Sequence, residues 1–551
     1  MIKEEVKKRV GRCFSLGVSE GAWSDAAAEN YVVEEPRQSS HGDFSTNMAM
    51  VVAGRDRKNP REVAARLVEM LAGDRDLFAE VTIAGPGFVN FVINDRVWQE
   101  RVASIIAGDK EYGKSAEGRG RRALVEFVSA NPTGPLSVGH GRQAALGDAI
   151  ARLLAAIGYT VEREYYYNDA GRQMRVLGES VRARYLEMAG REFVFPEDGY
   201  QGDYISDIAR GLYEEHGDGL AAADYLPFKE AAEKAIFADI DSTLKRIGIV
   251  FDNYYNEHTL YDEGKIDEVV AALRDKGLVY EEEGAVWFKT TELGLDSDRV
   301  IIKSSGEPTY RLPDIAYHQE KFRRGYDWMI DIFGSDHIAT VPDVLAGVSA
   351  LGHDPEKVTV VLHQFVTLMR NGKKVKMSTR KATFVTVDEL IDEVGVDAAR
   401  FFFLMRKADS QLEFDLTLAA SQSQDNPVYY LQYGHARLCS IMAKAAAEGV
   451  ELGEISSIAV SRLSETEELA IIKNLLAFPA LVTSAARDLE PHRLIFYLLD
   501  LAAMFHSYYN KYRIISEDLE LSRARLLFAA AIRVVIRNGL SMIGVAAPEK
   551  M

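Results

Sequence analysis

Cysteine is scarce in this 551-residue chain, which has only Cys13 and Cys439. Two thiols cannot form a disulfide framework or, by themselves, a zinc site, and such usage fits a reducing cytoplasm. Long apolar runs are also missing. The opening MIKEEVKKRV has no apolar signal core, and nothing approaches the roughly 18 apolar residues of a membrane span, so no membrane partner is expected. There is no internal repeat and no low-complexity tract. Positive charge is in deficit, with 65 Lys and Arg against 83 Asp and Glu, a net charge of −18 and a pI near 5.2. That balance argues only weakly against nucleic acid, which responds to local patches rather than totals. From Lys511 onward the sign reverses, with seven basic residues against four acidic ones.

What is present reads as a globular protein, 47% hydrophobic and 27% charged. Its length suggests three or four domains. Residues 1–107 form a small unit of mixed helix and strand. It has an opening helix with Val6, Val10 and Phe14 on one face and a hairpin-like VTIAGPGFVNFVIN. Charged, Gly-rich residues 108–122 read as a linker. The stretch that organises the chain is 121–170. There, apolar Leu124, Val125, Phe127 and Val128 suit a strand buried on both faces. Pro132, Gly134, Pro135, Gly139 and Gly141 then shape a loop. Leu146, Ile150, Leu153, Leu154 and Ile157 repeat at helical spacing, Gly158 stops the helix, and Tyr159 to Tyr167 restart a strand. The result is a βαβ unit whose first turn aims a Gly-rich loop and a helix N-terminus at one spot, a natural phosphate site.

Residues 191–260, acidic and aromatic, read as an insertion. MIDIFGSDH and TVVLHQFV resume the strands, with a helix from about 341 between them. The expected fold class is α/β, a Rossmann-like doubly wound parallel sheet over 108–385 interrupted by that insertion. From 386 to 551 the pattern is almost entirely helical. It opens with the capping box Thr386-x-x-Glu389 and includes apolar stripes at 463–476, 490–508 and 519–543.

Three short motifs carry chemistry, and each has a plainer reading alone. In SVGH (137–140), Gly139 admits a close ligand and His140 can donate to phosphate, although a Gly-His pair is often just a turn. GSDH (334–337) ends a buried strand, where open α/β sheets place ligands, but Ser335 or Asp336 could simply cap a helix. KKVKMSTRK (373–381) holds five basic residues in nine. Such a loop could neutralise charge in phosphoryl or nucleotidyl transfer, or it could be a solvated surface loop.

Taken in this order and separation, the motifs resemble the class I aminoacyl-tRNA synthetases, whose two signatures hold ATP. Further stretches are similar to bacterial arginyl-tRNA synthetases: VEFVSANPTGPLSVGHGR, EYYYNDAGRQ, PTYRLPDIAYH, KMSTRKATFVTVDELIDEVGVDAARFFFLMR, DNPVYYLQYGHARLCSI and GVAAPEKM. The resemblance spans nearly the whole chain and is weakest over 191–260. It implies that residues 1–107 contact tRNA, that 386–551 form an all-α stem and anticodon-binding domain, and that the chain joins L-arginine to tRNA(Arg) using ATP and its accompanying Mg²⁺. It further implies that activation waits for bound tRNA.

The same resemblance assigns residues. Ser137, Gly139, His140, Gly334, Asp336, Lys376 and Met377 would hold ATP. His140, Lys376, Ser378 and Arg380 would serve the transition state. Glu126, Asn131, Tyr310, Asp314 and His337 would line the arginine pocket, with Asp314 and Tyr310 on the guanidinium and Asn131 on the backbone end. Tyr433 and Met551 would read tRNA. A guanidinium is a rigid fork of N–H donors that wants carboxylates and carbonyls. A site built on such bonds can reject lookalikes by a factor on the order of 10⁴, and no further module large enough for editing is seen. No metal-ligating set is expected. Nothing suggests an obligate dimer, so a cytoplasmic monomer is expected.

Two positions depart from the pattern. The first signature usually reads HVGH, and here Ser137 replaces its first histidine. The expected loss is a phosphate contact of roughly 0.5–1.5 kcal/mol. Thr379 and Arg380 replace the Lys-Ser of the wider class, which leaves open whether Arg380, Lys381 or Lys374 serves the transition state. Two other readings stay open at this level. One is an adenylate-forming ligase that joins arginine to something other than tRNA. The other is a catalytically silent tRNA-binding paralogue.

Overall fold

The computed structural model describes residues 2–25, 30–36, 38–169, 171–375 and 385–551, without the side chains of Ser39, Asp336 and His337. Lys376, Met377, Ser378, Arg380 and Lys381 lie outside the described residues.

The N-terminal unit is a four-stranded antiparallel sheet backed by helices, including Ile2–Ser19 and Pro60–Leu71. Its hairpin, Phe78–Ala84 and Phe88–Ile93, lies where the alternating sequence puts it. Val6, Val10 and Phe14 are buried together.

In the central unit, numbering only the elements that bear on the site, the strands are β1 (Arg122–Glu126), β2 (Thr160–Tyr167), β3 (Asn253–Asn256), β4 (Trp328–Gly334) and β5 (Val358–His363). They form one parallel sheet in the order β5-β4-β1-β2-β3. The order reverses direction beside β1, so the C-terminal ends of β1 and β4 flank the crevice where open α/β sheets bind ligands. Helix α1 (Val138–Ala156) follows β1 and buries fifteen of its residues, which is why it carries so little charge. Gly147 is needed for its close seat on the sheet, since a Cβ there would lie 2.2 Å from the Phe127 ring. Helices α2 (Arg311–Arg323) and α3 (Val341–Ala350) flank β4 in the chain.

Two expectations need correction, and one alternative reading falls away. The stretch read as an insertion, 191–260, ends in β3, an edge strand of the main sheet. Tyr254 and Tyr255 carry that strand, paired with Tyr165 and Tyr166 of β2. The C-terminal part is not all helix, because β6 (Val366–Arg370) pairs in parallel with β7 (Leu412–Asp415), tying the stem to the catalytic unit across the 385/386 boundary. Ser335 and Asp336 do not cap α3. They fall in a short 3₁₀ turn, Ser335–Ala339, and Thr340 is the residue before α3.

The stem begins with the Thr386–Glu389 capping box expected from sequence. It continues through α4 (Val396–Leu404) into a bundle of α5 (Pro427–Ala447), α6 (Thr466–Arg487), helix His492–Lys511 and α7 (Leu519–Met542). By length and composition α6 is apolar enough to cross a membrane, although no long apolar run was expected from sequence. Here it buries Ile471, Ile472, Leu475 and Phe478 inside the bundle. Its buried Glu468 is held by Arg525 at 2.8 Å. The charged stretch read as a linker is docked rather than loose, since Asn538 of α7 donates to the carbonyls of Asp109 and Tyr112 at 2.7 and 2.9 Å.

Candidate active site

A cavity of about 790 Å³ opens at the C-terminal ends of β1 and β4, a volume suited to a small-molecule substrate pair. It brings together Glu126, Asn131, Ser137, Gly139, His140, Tyr310, Asp314 and Gly334, residues spread over more than 200 positions of sequence. For Asp336 and His337 only the backbone is described, in the turn that follows Gly334.

At one end lies the glycine–histidine turn. Ser137 precedes α1 with an extended backbone, and its N–H donates to His140 Nδ1 at 3.2 Å. An amide can only donate, so Nδ1 must accept, and the neutral ring carries its proton on Nε2. Burial pushes the imidazole pKa down to about 4. His140 is therefore a neutral N–H donor rather than a cation. Ser137's hydroxyl also sits by that ring, 3.3 Å from Nδ1. The chain just after residue 384 meets this turn, as Val387 N–H donates to the Leu136 carbonyl at 2.8 Å and Thr386 bridges to Ser137.

At the other end the cavity is acidic. Asp314 stands one turn along α2 from Tyr310, so it is a residue of the helix interior and not the helix cap that its position after Pro313 allowed. Among the described residues no donor reaches its carboxylate, and burial, with the nearby charges of Glu126 and Asp331, raises its pKa to about 7. Glu257, just beyond β3, faces the same space. Burial, then Asp314 and Asp169, lifts it to about 7 as well. Two acids in a half-apolar pocket, Asp314 raising Glu257 and neither in an ion pair among the described residues, are set up to ionise around a cationic ligand. Asn131 Nδ2 donates to Gln173 at 2.8 Å on the rim between the two ends.

Glu257 and Gln173 were missed from sequence because each comes from a segment distant from the signature turn, and Ser129 because its type alone carries no signal between Glu126 and Asn131. The stripe Asp314, His318, Lys321 on α2 was legible as i, i+4, i+7 spacing and would have flagged the buried His318 and Lys321. Away from the cavity, Tyr433 on α5 stacks on Tyr429 with ring centroids 6.4 Å apart, and Arg437 lies over its ring at 4.6 Å. The C-terminal tail lies across the same helix. Gln432 donates to the Ala546 carbonyl at 3.0 Å, His435 contacts that of Pro548 at 2.9 Å, and the chain ends in exposed Met551.

A five-stranded parallel sheet with a Gly-His turn after its first strand, a helical bundle behind it and a substrate-sized cleft at the strand ends defines a class I aminoacyl-tRNA synthetase. Residues 101–195 and 222–414 match the model for the class I (R) tRNA synthetase catalytic domain. Residues 1–93 match the arginyl tRNA synthetase N-terminal domain, and 431–551 the DALR anticodon-binding domain. The chain is 62% identical to the arginine–tRNA ligase of Desulfotalea psychrophila, with 100% of each covered. It is 50% identical to that of Salinibacter ruber, covering 94% of this chain and 95% of the relative. Its fold is similar to the solved Thermus thermophilus arginyl-tRNA synthetase, with a TM-score of 0.75 at 22% identity and 100% of both chains covered. The chain belongs to the arginyl-tRNA synthetase family.

Proposed function

We infer that the chain attaches arginine to tRNA(Arg) in two steps within this one cavity. The observation that carries the reading is the polarity of the cleft, with a neutral histidine donor at the signature end and two unneutralised carboxylates at the other. Arginine lies with its guanidinium toward Asp314, Glu257 and Tyr310 and its carboxylate toward Asn131 and the signature turn. That carboxylate attacks the α-phosphate of ATP, the bond to pyrophosphate breaks, and arginyl-adenylate forms. No side chain acts as nucleophile, so catalysis is positioning and charge neutralisation.

His140 Nε2–H and Ser137 donate to the triphosphate, Gly139 leaves room for adenosine, and Gly334 with Asp336 borders the nucleotide. Lys376, Ser378 and Arg380 clamp the departing pyrophosphate, and Met377 belongs with them to the ATP-binding set. His337 borders the arginine side. Mg²⁺ carried with ATP, with no dedicated protein cage, would supply further charge neutralisation on its phosphates. In the second step the terminal ribose hydroxyl of tRNA attacks the adenylate carbonyl and AMP leaves. The N-terminal unit and the stem, with Tyr433 and Met551, hold tRNA, and activation waits for it. The protein acts as a monomer in the cytoplasm.

Charging of bulk bacterial tRNA with labelled arginine tests the reading. Arginyl-tRNA formation that requires ATP supports it. Pyrophosphate exchange without charging would point instead to a ligase with another acceptor, and inertness to a silent paralogue.

A further inference from the structure

Beneath the cavity the sheet carries a row of acids that neither reaction step uses. Glu126 is in register with Asp331 of β4 on one side and with Glu164 of β2 on the other, and all three are buried. Registered residues of parallel strands share a face at a strand spacing of about 4.8 Å. Three carboxylates so close in an apolar layer stay ionised only if cations and donors reach them. Helix α2 and the residue that follows it supply these. Arg324 forks onto both oxygens of Glu164, and Tyr317 donates to it at 2.5 Å. Lys321, with no solvent exposure, donates to Glu126 Oε2 at 2.5 Å and to Asp331 Oδ1 at 2.6 Å. His318 occupies the second oxygen of Asp331 at 2.9 Å.

The other oxygen of Glu126 faces the substrate side. It accepts from the Ser129 hydroxyl at 3.0 Å, and that hydroxyl accepts from the Tyr166 N–H at 3.1 Å. Both oxygens of Glu126 thus receive donors, the pattern of an ionised carboxylate. Ser129 also has an unusual backbone. Val128 and Ser129 have φ of 69° and 38°, and a β-branched residue in the left-handed region persists only where its surroundings hold it there. Two residues later comes Asn131, on the rim of the cavity.

We propose that Lys321 is a positioning residue for arginine. It holds Glu126 ionised and aligned on Ser129, and Ser129 in turn pins the left-handed turn that presents Asn131. Lys321 does not touch the substrate, because it is sealed between sheet and helix. Burial and the charge of Asp331 push the Glu126 carboxyl up, and Lys321 pulls it back down. Without Lys321, Glu126 would take up a proton and its alignment on Ser129 would be lost. The assignment rests on the arginine pocket proposed above, so the tests presuppose that the unmodified protein charges tRNA with arginine. If it does not, that reading fails first.

The test is a double-mutant cycle read as KM for arginine and KM for ATP in the charging reaction. Lys321→Met and Ser129→Ala should each raise the arginine KM about tenfold and leave the ATP KM within about twofold. Because the two act through one relay, the double variant should also show about a tenfold rise, where independent sites would multiply toward a hundredfold. Lys321→Met/Glu126→Gln replaces the protonated acid, whose proton can settle on the oxygen facing Ser129, with an amide whose carbonyl keeps an acceptor for the Ser129 hydroxyl, and should recover most of the lost arginine KM. A merely structural role would move both KM values together, or lower only the melting temperature. That result overturns the proposal, as do multiplicative effects or no rescue. If Lys321→Met does not fold, Ser129→Ala and the compensated double variant still decide, and an unchanged arginine KM in Ser129→Ala rejects the relay.

Discussion

The backbone N–H of Ser137 fixes the tautomer of His140. It donates to Nδ1 at 3.2 Å and so leaves the proton on Nε2. The contact comes from the main chain, so any residue but proline at 137 preserves it. The serine that replaces the family's usual histidine therefore costs the signature no alignment. Ser137→His should keep the charging rate equal or raise it, by adding a phosphate donor worth roughly 0.5–1.5 kcal/mol. Steady-state charging at saturating tRNA checks this. A loss of activity would show that the Ser137 hydroxyl, 3.3 Å from the ring, has a role of its own.

Arginine affinity should depend on pH through Asp314. Its free carboxyl sits near pKa 7, raised by burial and by Glu126 and Asp331, and opposed by His318 and Lys321. Glu257, also near 7, adds to the effect. A bound guanidinium favours the ionised acid and lowers both values, so binding releases protons below about pH 7. The dissociation constant should therefore rise as pH falls from 7 to 6, by up to about tenfold for each proton released. Above pH 8 it should level off. Calorimetry in buffers of different ionisation enthalpy measures the protons directly, and a flat profile between pH 6 and 8 would contradict the assignment.

Removing one of these charges should cost arginine far more than ATP. Asp314→Asn keeps the shape and loses the charge, and the penalty for one partner of a buried charged contact is about 2–5 kcal/mol. The arginine KM should rise on the order of a hundredfold with the ATP KM unchanged. Glu257→Gln should act in the same direction and more weakly, because Tyr261 also bonds that carboxylate, at 3.4 Å. Equal changes in both KM values would place these acids outside the arginine half of the cleft.

Most of this architecture could be read from sequence, and the exceptions share a cause. The βαβ unit, the turn at 137–140 and the capping box at Thr386 depend on local periodicity and turn chemistry, which sequence carries directly. Strand β3 escaped because its tyrosines follow a helical insertion and look like part of it. Strand β7 escaped because its partner lies more than 40 residues upstream. The site follows the same rule. Asp314 and Tyr310 lie four residues apart in one stretch, PTYRLPDIAYH, whose family resemblance assigns both, whereas Glu257 reaches the cavity only through the pairing of β3 with β2. Lys321 shares the helical spacing of Asp314 and His318, but that spacing does not show its burial, since a lysine at no exposure is unexpected until its two carboxylate partners are seen.

Gly544 should tolerate no side chain. It adopts φ of 68°, and a Cβ there would lie 2.0 Å from the Arg400 guanidinium. Arg400 of α4 is itself buried between Asp148 of α1, the Ile247 carbonyl and the Ile543 carbonyl, so it ties the helix of the first signature to the C-terminal tail. Gly544→Ala combines a left-handed backbone with a steric clash, and should lower stability by about 1–3 kcal/mol. A melting curve checks this, and an unchanged transition would mean that the tail repacks freely.

Tyr433 should matter to tRNA and not to ATP. Its ring is held between Tyr429 and Arg437 on one face of α5, while the C-terminal tail contacts Gln432 and His435 on another. An aromatic ring held rigid at a half-exposed position is suited to stacking on a base, a contact worth about 1–3 kcal/mol. Tyr433→Ala should raise the KM for tRNA roughly tenfold and leave ATP binding unaltered. Tyr433→Phe keeps the ring and loses only the hydroxyl that Arg437 contacts, and should lie much closer to the unmodified protein. If the two variants are impaired equally, the hydroxyl rather than the ring carries the effect. An unchanged KM in Tyr433→Ala would remove this residue from the tRNA surface.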